Sequence, residues 1–118
     1  MATVALTGEN FESVVADHEL VIVDFWAAWC APSYEAASEQ HPDIVFGKVD
    51  TEAQHELAAA FGIRSIPTLM VFREKVILYA EAGALPPALL DEVIAKTRSV
   101  DMAEVHREIA AGQAGPER

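Results

Sequence analysis

The sequence predicts an α/β domain, a central mixed β-sheet with helices on both faces. Three observations predict it. Apolar runs suited to strands alternate with amphipathic stretches suited to helices. The run Leu20-Val21-Ile22-Val23-Asp24-Phe25-Trp26 is apolar throughout except for one acid, as expected of a central strand covered on both sides. Residues 68–72 and 76–81 are two further strand-like runs, close enough together to form a hairpin.

Taken in order, residues 4–6 predict a short first strand. Thr7 then caps a helix over residues 9–16, with Phe11, Val14 and Val15 on its inner face. After the central strand, residues 32–40 read as a short helix with Pro32 in its first turn. Residues 44–50 predict a second central strand. A helix follows over residues 51–61, and Gly62 stands where a left-handed C-terminal cap belongs. After the hairpin comes a helix over residues 86–97, with Leu89, Leu90, Val93 and Ile94 as its buried stripe. A last amphipathic segment over residues 102–110 carries Val105 and Ile109. The order is β-α-β-α-β-α-β-β-α with one appended helix: parallel pairing in the first half, an antiparallel hairpin in the second. Residues 1–111 are expected to form one domain that includes the appended helix, and residues 112–118 a flexible tail.

At 118 residues, 52% of them hydrophobic, the chain can bury an adequate single core. A net charge of −11 argues against nucleic acid and anionic membrane surfaces as partners, since phosphate binding needs clustered Lys and Arg. No apolar stretch approaches the roughly 18 residues of a membrane span. The first residues lack the basic-then-apolar pattern of a secretory signal, so the cytoplasm is the expected compartment. One cysteine cannot form an internal disulfide. Cys30 and the histidines His18, His41, His55 and His106 show no metal-ligand spacing, so no metal or other cofactor is expected.

Three features carry possible chemistry. Trp29-Cys30-Ala31-Pro32 lies where a central strand ends and a helix begins. A thiol there feels the unsatisfied N–H groups and positive dipole end of the helix, which favour the nucleophilic thiolate. The ordinary alternative is a buried, inert cysteine. Asp24, inside the apolar run, is costly to bury and should have a raised pKa unless it finds a partner. Such an acid near a thiol can accept and return protons, whereas at a strand edge it would simply reach water. Strand order makes Lys48 a plausible neighbour for it. The third feature is Pro67, in Ser65-Ile66-Pro67-Thr68, at the start of a strand where a residue without an N–H belongs. On sequence physics alone its peptide bond is the ordinary trans form, because only about 5–6% of such bonds in folded proteins are cis.

Together these features resemble the thioredoxin family. Val-Asp-Phe-Trp-Ala-Ala-Trp-Cys-Ala-Pro at positions 23–32 is similar to the family's active-site signature, and Gly-Ile-Arg-Ser-Ile-Pro-Thr at 62–68 to its cis-proline loop. Lys48-Val49-Asp50 and Gly83-Ala84 fall where thioredoxins carry similar segments. The resemblance covers about residues 3–96 and implies the thioredoxin fold. It implies that Cys30 is the attacking nucleophile, that Pro67 is the cis-proline facing it, and that Asp24 with Lys48 nearby is the buried acid handling protons. It implies further that Trp29, Ala31, Pro32, Ile66, Gly83 and Ala84 line the apolar groove for an extended substrate segment. The backbone at Ile66 would pair with that segment as an added strand does.

The chain departs from the family at the site itself. Thioredoxins carry Cys-x-x-Cys, and the second cysteine resolves the mixed disulfide formed by the first. Here Ser33 follows Pro32, and the stretch from this site to Lys48 is about seven residues short, close to two helical turns. Two alignments account for this. Either Ser33 replaces the resolving cysteine and later turns are missing, or Ala31-Pro32-Ser33-Tyr34 matches an Ala-Pro further along the family's helix and the segment between was removed. The natural continuation through residues 34–39 favours the second, which leaves the groove roles of Ala31 and Pro32 open but not that of Cys30. Arg73-Glu74-Lys75 also replaces the Asn-Gly or Asp-Gly turn common in the family.

The resulting expectation is a monothiol thiol–disulfide exchange protein, impaired as a dithiol reductase. Its partners would be disulfide-containing or S-thiolated proteins and, as electron donor, a reductase or low-molecular-weight thiol. An exposed Cys30 could also link two chains into a homodimer. The competing expectations are a redox-inactive binding or chaperone-like module and a deletion variant of a thioredoxin.

Overall fold

The computed structural model describes residues 3–26, 33–83 and 86–112. The elements are β1 (Thr3–Ala5), α1 (Phe11–Asp17), β2 (Leu20–Trp26), α2 (Ser33–Gln40), β3 (Val45–Asp50), α3 (His55–Ala60), β4 (Thr68–Arg73), β5 (Val76–Ala82), α4 (Pro87–Ser99) and α5 (Met102–Gly112). The five strands form one mixed sheet in the order β1-β3-β2-β4-β5. β3 runs parallel to β1 and β2, whereas β4 is antiparallel to β2 and β5.

β2 is central, and its side chains alternate between two cores. Leu20 and Ile22 face Ala37 of α2 and Leu90 and Ile94 of α4, with Phe46, Leu69 and Val71 from the flanking strands. Val21, Val23 and Phe25 face Phe11 and Val15 of α1, with Leu57 and Phe61 at the α3 side. Phe61 packs against Phe11, Phe25 and Phe72 at centroid separations of 5.2, 5.7 and 6.1 Å. Burial on both faces explains why β2 reads as a continuous apolar run.

Two helices begin later than expected, for the same reason. Asn10 Oδ1 accepts the Thr7 N–H at 2.7 Å, and its side-chain amide donates to the Ala5 carbonyl. This turn occupies residues 8–10, so Thr7 is not the helix cap and α1 starts at Phe11. Asp50 Oδ1 accepts the N–H groups of Glu52 and Ala53, while its carbonyl accepts that of Gln54. The chain turns there before α3 forms, at His55 rather than at residue 51. In both places a short polar side chain captures backbone groups that would otherwise enter the helix.

α3 ends as expected. Gly62 has φ of 67°, its N–H donates to Ala59, and the Ile63 N–H donates to Ala58. These are the two bonds of a Schellman cap. In α4 the buried row is Leu90, Ile94 and Thr97, while Leu89 is 45% exposed. Leu89 is therefore not part of the stripe: one residue back from Leu90, it is rotated about 100° away from the sheet. α5 is anchored through buried Met102, and Ile109 remains exposed. Among the described residues no helix is long and apolar enough to cross a membrane.

Candidate functional site

The site is built at the carboxyl ends of β2 and β3 and the start of β4. Asp24 lies opposite Lys48 in the parallel β2–β3 register, as strand order suggested. Both belong to the face occupied by α2 and α4, because they alternate in step with Ile22 and Phe46. Asp24 is only 8% exposed. Burial pushes its carboxyl up to about 6, and the Lys48 ammonium pulls it partly back. The expectation of a raised acid is met, and desolvation is the larger cause.

Trp26, two residues further along β2 on the same face, adds a feature the sequence reading missed. Lys48 Nζ lies 4.8 Å from the centre of its ring, a cation–π contact. Simple alternation along β2 could have placed Trp26 beside Asp24. The Trp26 carbonyl accepts hydrogen bonds from both the N–H and the hydroxyl of Thr51, which ties the end of β2 to the end of β3.

The Ile66–Pro67 peptide bond is cis. This agrees with the family resemblance and corrects the trans form expected from sequence physics alone. Thr68, the next residue, pairs with Phe25, so Pro67 adjoins the carboxyl end of β2. The Thr68 hydroxyl donates to the Ser65 carbonyl and closes the loop before β4. Gly83 donates its N–H to the Pro67 carbonyl at 2.8 Å, with a φ of 107° that glycine adopts without strain. Pro67 and Gly83 are thus joined directly, and Ile66 is half-buried beside them. Trp29, Cys30, Ala31, Pro32 and Ala84 lie outside the described residues. Among the described residues no group of three or more His, Cys, Asp or Glu side chains is placed to hold a metal ion.

Such an arrangement can hold a proton at a buried carboxyl up to about pH 6. It also presents a backbone corner at Ile66–Pro67, adjoining the end of the strand that leads toward Cys30.

The thioredoxin family model matches residues 2–96 of the chain. A putative thioredoxin 2 from Streptomyces coelicolor is 56% identical over 119 aligned residues, covering 96% of this chain and 89% of that protein. Thioredoxin 1 from a Nostoc species is 35% identical, covering 80% and 96% of the two chains. Among solved structures, a thioredoxin from Plasmodium falciparum superposes with a TM-score of 0.72 at 34% identity, over 80% of this chain and 98% of that one. A mutant thioredoxin from Halobacterium salinarum gives 0.73 at 28% identity, over 80% and 88%. The family model spans most of the chain, and the relatives and solved structures agree with it: this chain belongs to the thioredoxin family.

Proposed function

We propose that the protein carries out thiol–disulfide exchange through the single thiol of Cys30. The observation that supports this most directly is Asp24, a buried carboxyl pushed up to about 6 beside Lys48, on the strand that leads toward Cys30. In the first step the Cys30 thiolate bonds to one sulfur of a disulfide, and the other sulfur leaves as a thiolate that takes up a proton. In the second, a low-molecular-weight thiolate attacks the mixed disulfide on its far sulfur and Cys30 departs. One disulfide is consumed and one is formed, so electrons balance. Asp24 serves as the proton reservoir for Cys30 in both steps, and Lys48 holds its carboxylate form. Pro67 and Gly83 border the groove for the extended substrate, whose backbone pairs at Ile66.

With no second cysteine in the chain, release is intermolecular. A tethered thiol acts at an effective concentration on the order of millimolar or more, and that advantage is absent. The protein is therefore a poor reductase of ordinary protein disulfides and depends on an external thiol or reductase.

The test is a mass-spectrometric time course with a protein carrying a glutathione mixed disulfide, with and without added small thiol, using the full chain and its Cys30→Ser variant. Repeated product release that needs both Cys30 and the small thiol supports the proposal. A stoichiometric adduct that never turns over, or partner binding that survives Cys30→Ser without any exchange, would sink it and favour a redox-inactive binding module.

A further inference from the structure

A second cleft adjoins the cis-proline loop on its α3 side. It is an open depression of about 360 Å³ lined by Thr51, His55, Ala58 and Ala59 together with Ile63, Arg64 and Ile66. Its lining contains no carboxylate, although the chain as a whole has 19 acidic residues against 8 Lys and Arg. Arg73, Arg98 and Arg107 each pair with a carboxylate. Among the described residues Arg64 has no such partner, and it is exposed. A guanidinium and an imidazole therefore face one cleft in an otherwise strongly acidic protein, and Ile66 forms part of both the cleft and the backbone corner at Pro67.

We propose that this cleft binds a carboxylate of the substrate, with Arg64 as the main recognition group and His55 supplying a second N–H. This rests on the exchange reading above and adds a substrate class to it. A substrate strand paired at Ile66 extends past the corner, and a side chain near its cysteine can enter the cleft. Planar, bidentate recognition of a carboxylate is what a free guanidinium does best. The protein's overall field repels acidic partners, so preference goes to a segment with one acidic group beside the disulfide in an otherwise neutral or basic context. Two sources share this chemistry: an acidic residue of the protein substrate, or a carboxylate of the small thiol bound to it.

The test uses the full chain and four peptide mixed disulfides. Two carry mercaptoethanol on a cysteine with either Glu or Gln two residues away. The other two are the Gln peptide carrying glutathione and the same peptide carrying cysteamine. A three- to tenfold faster exchange with the Glu peptide than with its Gln twin, an effect of about the size expected for a partly exposed ion pair, identifies the substrate side chain as the source. A similar preference for glutathione over mercaptoethanol and cysteamine identifies the small thiol. In either case Arg64→Gln should bring the ratio near one, and 1 M salt should shrink it. Exchange with all four peptides but no carboxylate preference overturns the cleft proposal and leaves the exchange reading standing. No exchange with any of them overturns the exchange reading. The cleft is then judged by NMR titration with a disulfide-free Glu peptide, and unmoved Arg64 and Ile66 resonances overturn it as well.

Discussion

Asp24 and Lys48 occupy matching positions on adjacent parallel strands, so a nearly buried carboxyl stands beside an ammonium that also lies over the Trp26 ring. The pair is unequal. Burial raises the Asp24 pKa from 3.8 to about 6, and the Lys48 charge does not cancel the effect. Asp24 is thus a source of instability as well as the proposed proton store, as is common where a fold gives up stability for a site.

The sign of its pH dependence follows. Between about pH 4 and pH 6 the folded protein keeps a proton that the unfolded chain has released. Asp24 therefore makes stability fall as pH rises through that window, and the loss is complete above the folded value. Replacing Asp24 by Asn should stabilise the protein by about 3 kcal/mol at pH 8 and change little at pH 4. Urea unfolding at the two pH values checks this. An equal gain at both would mean that charge burial is not the cause.

The same substitution should harm exchange. With Asp24→Asn, release of the Cys30 mixed disulfide by a small thiol should slow by about tenfold, toward the low end for lost general acid–base help. The inflection near pH 6 in the wild-type profile should also vanish. Single-turnover release measured from pH 5 to pH 8 reads both effects. A slower rate with the inflection intact would indicate a packing effect and not a proton role.

The β4–β5 turn is strained for its residues. Glu74 and Lys75 have φ of 52° and 70°, the left-handed values a two-residue hairpin requires, and neither is Gly or Asn. Lys75→Gly should stabilise the protein by about 0.5–1 kcal/mol, since the relief of a left-handed side chain outweighs glycine's added unfolded-state freedom. Glu74 is better left alone, because it accepts a hydrogen bond from His106 of α5 at 2.7 Å. Thermal melts should rise for Lys75→Gly and stay nearly unchanged for Lys75→Ala, which keeps the Cβ, and a drop with glycine would refute the strain argument.

These cases show which parts of the molecule were readable in advance. β2 was legible because two-sided burial leaves an unbroken apolar run, and Gly62 because few residues tolerate its cap conformation. The Asp24–Lys48 neighbourhood followed from strand order once two parallel strands were assigned. The late starts of α1 and α3 were hidden because Asn10 and Asp50 decide them through side-chain bonds whose partners depend on the folded path of the chain. Leu89 looked like core because hydrophobicity counts its side chain but not the rotation of about 100° that separates it from Leu90. The cis bond at Pro67 was legible only through resemblance, the trans form being the commoner state physically. The Arg64–His55 cleft had no sequence signal at all, since it forms where α3 meets a loop from further along the chain.

Arg73 supplies the last test, of what holds the C-terminal helices. Its Nη1 donates to the carbonyl oxygens of Thr97, Arg98 and Val100 at 2.8, 3.1 and 3.0 Å, closing the end of α4 just before α5 begins. Its Nη2 also reaches Glu19, 3.4 Å away. The carbonyls are the stronger claim: a charged donor shared among helix-end acceptors is worth more than a long contact to a Glu19 side chain that is 63% exposed. Arg73→Met, which keeps the aliphatic stem, should therefore cost about 2–3 kcal/mol and lower the urea midpoint without changing the slope. Glu19→Gln should cost less than about 0.5 kcal/mol. Hydrogen exchange in Arg73→Met should speed up first at the last turn of α4 and the residues leading into α5, because the guanidinium joins Thr97, Arg98 and Val100 to β4. Equal losses in the two variants would show instead that the ion pair, and not the cap, carries the stabilisation.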